Sequence, residues 1–193
     1  MGHKEDLLAA ARRCLITRGY ARTTARDLVA ESGTNLASIG YHFGSKDALL
    51  TQALWEAVME YTDKVVAVAG AIGPGGGRGG GDPHQAVTSA WLAMTEMYDE
   101  FRPLLVAFVE ALAQAERNDP LRAQLAAGYA EMRRRIIEAI LAVVPDLPTD
   151  LARSVASFFV AISDGYMVQW LLDPDATPSG ADLLEGARLA MSV

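Results

Sequence analysis

Apolar side chains recur at three- and four-residue intervals along most of this chain, and no segment alternates residue by residue as a half-buried strand would. The clearest run, Leu49, Leu50, Ala53, Leu54, Ala57, Val58, Tyr61, Val65 and Val66, predicts one long helix from Lys46 towards Ala69. Further helices are predicted over 83–98, 102–116, 119–144, 149–172 and from 179 to the end. Their limits are marked by Pro83, Pro103, Pro120, Pro145, Pro148, Pro174 and Pro178, residues that suit helix starts and interhelical turns. With three shorter helices before residue 48, the pattern predicts an all-α chain of about nine helices.

The short helices carry local signals of their own. Thr24 followed by Asp27 is a capping-box pattern, so a helix begins near Ala25. Gly33 suits the reversal that ends it, where a positive φ is needed. Asn35 can cap a second helix, Leu36 to Tyr41, with Ile39 pointing inward and the slim Ala37, Ser38 and Gly40 facing out. Phe43 anchors the end of this unit, and Ser45 caps the long helix that follows. A helix, a tight turn and a slim second helix over Thr23 to Lys46 suit the DNA major groove. Lys46, beside a helix N-terminus, is a candidate phosphate contact. Arg26 reads either as a contact to the DNA backbone or as a partner of Asp27 or Glu31. His42 has no second ligand at metal spacing and reads as a phosphate contact or a solvated cap.

The predicted helix from Leu151 to Leu172 is apolar nearly all round and must be covered on more than one side. One face is expected to pack on its own body and the other, with Phe158, Phe159, Ile162, Gly165, Tyr166 and Trp170, on a second copy of the chain about a twofold axis. Trp91, Met94, Tyr98, Phe108 and Tyr129 supply aromatic and thioether groups that could line an apolar cavity; singly, each is more often core.

Charge changes the picture. The chain carries a net −7, which argues against nucleic acid, but residues 1–48 hold seven basic against five acidic side chains, a net +2, and leave −9 on the remainder. A weakly basic head on an acidic body would meet DNA head-on. The one cysteine, Cys14, can form no internal disulfide and fits a reducing compartment. No unbroken apolar run of membrane length occurs, so a cytoplasmic protein without a membrane partner is expected. Gly75-Gly76-Gly77-Arg78-Gly79-Gly80 formally matches G-x-G-x-x-G, but both neighbours are helical and the motif needs a strand before it. The segment 73–82 reads as a flexible loop. The sequence has no G-x-S-x-G elbow, no H-E-x-x-H and no Cys-His pairing, and His3, His42 and His84 are scattered. No enzymatic activity, cofactor or metal is expected.

The residues Gly19-Tyr20, Thr23-Thr24, Asp27-Leu28-Val29-Ala30, Gly33 and Ala37-Ser38-Ile39-Gly40-Tyr41-His42-Phe43-Gly44-Ser45-Lys46 resemble the DNA-binding domain of TetR-type transcriptional regulators. Asp164 to Pro174 is similar to the penultimate helix of many of them. The resemblance implies a helix-turn-helix domain over 1–48, with the motif near 24–43, and a helical ligand-binding and dimerisation domain over 49–193. It implies DNA contacts from Thr24, Asn35, Ser38, Tyr41, His42 and Lys46, to which the slim Ala37 and Gly40 and the basic Arg26 are added from their positions. Leu36 and Gly40 depart from the family pattern, which commonly has a polar or basic residue at the first and a larger side chain at the second. The implied function is that of a homodimeric repressor, released from a near-palindromic double-stranded operator by an apolar or amphipathic small molecule. The alternative is a helical ligand- or partner-binding protein with weakened DNA binding.

Overall fold

The computed structural model of the chain describes residues 2–72 and 83–190. Every regular element among them is an α-helix: α1 His3–Arg18, α2 Ala25–Ser32, α3 Leu36–Phe43, α4 Lys46–Ile72, α5 Pro83–Glu96, α6 Tyr98–Ala115, α7 Asp119–Val143, α8 Thr149–Leu172 and α9 Gly180–Ala190. The loop expected over 73–82, with its formal G-x-G-x-x-G match, lies outside the described residues.

The short helices are delimited by the caps that their sequence announces. The Asp27 amide donates to the Thr24 hydroxyl at 3.2 Å and the Thr24 amide to the Asp27 carboxylate at 2.9 Å, which satisfies two backbone donors of α2 reciprocally. Gly33 ends α2 with φ 67°, in the left-handed region. The Asn35 amide oxygen accepts from Ser38 N at 3.1 Å, and Ser45 Oγ accepts from Ala48 N at 3.0 Å. α3 runs to Phe43, two residues past the predicted end at Tyr41.

The largest shift of a predicted boundary is at α6. α6 begins at Tyr98 rather than Arg102, and Pro103 lies inside it, with only Met97 separating it from α5. A proline there removes one backbone hydrogen bond, worth about 1 kcal/mol net. Tyr98 and Phe101 are both buried, and burying a large apolar side chain contributes about 1.5–3 kcal/mol, so packing carries the helix through the proline.

The chain forms two compact units, the first Met1–Glu60 with Glu100–Ala130, the second Tyr61–Asp99 with Glu131–Val193. In the first, α1, α2 and α3 pack on one another around Leu7, Ala11, Leu15, Tyr20, Leu28 and Ile39. Tyr20 is fully buried; its hydroxyl donates to the Asp47 carbonyl at 3.3 Å and lies 2.9 Å from the Thr51 hydroxyl, and burial pushes its pKa up to about 12. Two side chains from α6 and the turn after it reach the α1–α2 turn and the start of α4. The Glu110 carboxylate accepts from Ala21 N at 2.9 Å in the α1–α2 turn. Asn118 caps α7 through Leu121 N and donates to Asp47 Oδ2 at 3.2 Å. Trp55 of α4 packs directly on Gly128 of α7, where an added Cβ would fall 1.8 Å from an indole carbon, and makes edge contacts with Phe108 and Tyr129 at 5.5 and 5.6 Å between centroids.

The second unit is built round a different aromatic cluster. Tyr98 meets Tyr166 at 5.6 Å and Trp170 at 5.2 Å, and Trp91 meets Tyr166 at 6.0 Å. Tyr61 donates to the Met94 carbonyl at 2.8 Å. Arg134 pairs with Glu131 and Glu138, and Arg135 with Asp63 and Glu131, so these arginines of the Arg133-Arg134-Arg135 run form a solvated, acid-paired face.

Candidate nucleic-acid interface

α3 exposes a single continuous face. Leu36, Ala37, Gly40 and Tyr41 are all exposed, at positions that i, i+4 spacing stacks side by side, whereas Ser38 and Ile39 are buried. Tyr41 is 85% exposed and its ring stands edge-on to His42 at 4.8 Å. Its hydroxyl is the one hydrogen-bonding side-chain group on that face; Leu36, 54% exposed, is the largest apolar one.

Two residues placed on this surface by the sequence sit elsewhere. Ser38 is 8% exposed, not outward-facing, because its amide and hydroxyl both engage the capping Asn35 oxygen and hold it against the head. Lys46 is turned inward. Its ammonium donates to the Thr23 carbonyl at 3.2 Å, pairs with Asp47 at 2.9 Å and lies 6.0 Å from the Tyr20 ring centroid. It therefore ties the start of α4 to the α1–α2 turn. Asn35 and Thr24 are exposed caps, and His42 is half-buried at the end of α3.

The two acids of α2 are paired with arginines of α1. Glu31 pairs with Arg13 at 2.6 Å and Asp27 with Arg18 at 3.1 Å; the Thr24 hydroxyl also holds the Asp27 carboxyl below its usual range. Arg26, for which these two acids were the alternative partners, is exposed and makes no ion pair among the described residues. α2 thus keeps one exposed, unneutralised positive charge despite the modest net charge of the head.

The five body residues expected to line one cavity divide between the two units. Trp91, Met94 and Tyr98 belong to the Tyr166–Trp170 cluster, with the Trp91 indole N–H buried and without a hydrogen-bond partner among the described residues; Phe108 and Tyr129 belong with Trp55.

The expected face of α8 divides too. Phe158, Ile162 and Gly165 point outward and, with Leu151 and Leu172, form an exposed apolar stripe; Phe159 is half-buried against Trp91 at 6.1 Å. Tyr166 and Trp170 are buried instead, because the helix turns its largest aromatics into the cluster of its own unit. By length and composition α8 could cross a membrane, with a mean hydropathy of 1.4, but its inner side packs within the unit through Ala152, Ala156, Val160 and Met167.

Sequence reasoning missed Glu110 and Asn118, whose partners lie 89 and 71 residues away and leave no local trace. Gly128 inside a helical pattern was a signal of close approach that went unread.

A capped helix-turn-helix with an outward face on its second helix and an exposed arginine on its first, in an all-helical chain, defines a DNA-binding regulator of the helix-turn-helix class. Residues 7–53 match the family model of bacterial regulatory proteins of the tetR family, and residues 83–185 match the C-terminal domain of BetI-type transcriptional repressors. The chain belongs to the TetR family of transcriptional regulators. It is 28% identical over 194 residues to the HTH-type transcriptional repressor Rv1474c of Mycobacterium tuberculosis, covering 95% of this chain and 91% of that one. It is 26% identical over 168 residues to the HTH-type transcriptional regulator BetI of Agrobacterium fabrum, covering 86% and 75%. Its fold is that of a TetR-family regulator from a Rhodococcus species, with a TM-score of 0.70 at 22% identity over 98% of each chain. The multidrug binding protein EbrR, solved with proflavin, has a TM-score of 0.66 at 22% identity over 99% of this chain and 98% of that one.

Proposed function

We propose that the chain is a homodimeric cytoplasmic repressor that leaves a near-palindromic operator when a small apolar or amphipathic molecule binds its body. In this reading residues 1–48 bind DNA and 49–193 dimerise and take the effector. The observation that carries it is the exposed face of α3, Leu36, Ala37, Gly40 and Tyr41, in a domain whose α2 also exposes Arg26. The Thr24 and Asn35 caps set the angle of α3; Tyr41, His42 and Arg26 position the backbone, while Ser38 and Lys46 act from within by fixing the head.

Dimerisation is assigned to the stripe Leu151, Phe158, Ile162, Gly165 and Leu172, since an apolar strip of this kind is most simply covered by its own copy. Two recognition helices must lie about 34 Å apart to enter successive major grooves. An effector that favours another spacing lowers operator affinity by its differential binding to the two states. The cluster of Trp91, Met94 and Tyr98 is the assigned effector site, with the Trp91 N–H offering a donor to an acceptor on the ligand. That the structural relative EbrR was solved with proflavin makes this dye a reasonable first probe.

Selection of bound duplexes from a random pool by the full chain, followed by gel shift at graded salt, tests the reading. A near-palindromic, salt-sensitive site is expected, and proflavin should displace it. No enriched sequence would favour a helical ligand- or partner-binding protein with weakened DNA binding, to which the inward Lys46 and the apolar Leu36 lend some support.

A further inference from the structure

We infer that this regulator reads its operator chiefly through thymine methyl groups, with Leu36 and Ala37 as the residues that read them. The inference rests on the proposal that the outer face of α3 enters the major groove. That face offers two apolar side chains, a gap at Gly40 and one phenol; Ser38, its remaining polar candidate, is buried and spent on Asn35. Leu36 and Ala37 occupy the first turn of α3, and in helix-turn-helix proteins the N-terminal residues of the second helix lie against base edges. The major-groove edges of adenine and guanine, and the amino group of cytosine beside its bare C5–H, present hydrogen-bonding groups that an isobutyl or methyl side chain desolvates without satisfying. Thymine alone adds an apolar group, its C5 methyl. A Cβ built at Gly40 would meet no atom within 4 Å, so the face is open at that position and Gly40 itself adds no bulk between α3 and the base edges. The chemistry of the face thus selects a half-site with thymine opposite the first turn of α3. Tyr41, on the next turn of α3, and the exposed Arg26 of α2 supply the phosphate-positioning part of the affinity.

The test uses the full-length chain and the duplex enriched from the random pool. Failure of that enrichment would count against the proposed function and not against this inference, which concerns only how an enriched site is read. Each dT of the site is replaced in turn by dU, which removes the methyl and leaves the Watson–Crick pairing unchanged. At one or two positions per half-site the expected loss is about fourfold for each buried methyl, and about fifteenfold when both half-sites are altered together. In Leu36→Ala the penalty at its position should shrink towards onefold, with the penalties of other positions unchanged. Because Leu36 is exposed, circular dichroism and melting of this variant should match the parent. Equal affinity for dT and dU duplexes throughout, or an undiminished dU penalty in Leu36→Ala and in Ala37→Gly, overturns the assignment.

Discussion

Tyr41 and Arg26 are the single residues on which DNA affinity should turn most simply, since neither contributes to the packing of the head. Tyr41→Ala is expected to weaken operator binding by about 1.5–3 kcal/mol, the range of a lost hydrogen bond to a charged group, without moving the melting temperature. Arg26→Ala should weaken binding to all sequences alike and reduce the slope of log affinity against log salt by about 1, measurable by anisotropy over a salt series. Gly40→Ala separates stability from function: the added methyl meets open space and replaces a poor helix former, so the protein should gain up to about 1 kcal/mol, while the same methyl stands between helix and bases and lowers affinity. A variant that is both more stable and an equally good binder would remove this face of α3 from the interface. Thr24, Asp27, Gly33, Asn35 and Ser45 were legible from sequence because caps act over three residues and need no tertiary partner. The direction of Ser38 and Lys46 was not. Both are polar residues in positions that look exposed, and their fate is set by a side-chain oxygen and a carbonyl that the fold brings to them.

Among elements, the long helices were legible because a 3.6-residue period over six or seven turns is a strong pattern, whereas the start of α6 was lost to a proline that packing overrides. The struts between helices were illegible for another reason: they join residues far apart in the chain. Glu110→Ala takes the acceptor from Ala21 N and leaves the α1–α2 turn uncapped. The expected cost is about 1.5 kcal/mol, the low end for a charged acceptor because the bond is exposed, with weaker operator binding and unchanged dimerisation. Glu110→Gln keeps an acceptor oxygen and should retain most of both. Gly128→Ala drives a methyl into the Trp55 indole and should cost about 1–3 kcal/mol as an overpacked contact. At about 2–4 °C per kcal/mol for a chain of this size, calorimetry resolves that shift. Trp55→Leu in the same chain should recover much of the loss, a non-additivity that a double-mutant cycle measures.

Across the whole molecule, alkaline pH should loosen both units. Burial of the Tyr20 phenol raises its pKa from 10.0 to about 12, and burial likewise pushes Tyr61 and Tyr98 upward. A group whose folded pKa is raised contributes its full stability below the unfolded value and loses it as pH rises through the folded one. Stability should therefore be flat with respect to these groups below pH 10 and fall from 10 towards 12. Tyr20→Phe, although less stable at neutral pH through its lost hydrogen bonds, should show a shallower fall in melting temperature over that window. The assembly has its own test. Ile162→Asp with Phe158→Arg places charge on the outer stripe of α8 and should yield monomers in sedimentation, with helicity retained because both side chains are exposed.

The bare stripe on α8 also bears on how much of this protein a cell must make. If two copies must meet along Leu151, Phe158 and Ile162 before either reads DNA, operator occupancy at low abundance rises with the square of protein concentration. Copy number then becomes an input alongside the effector. Halving expression would cut the bound dimer fourfold, so the hydrophobicity of one strip of helix sets how sharply the regulated promoter responds to changes in the amount of its own regulator.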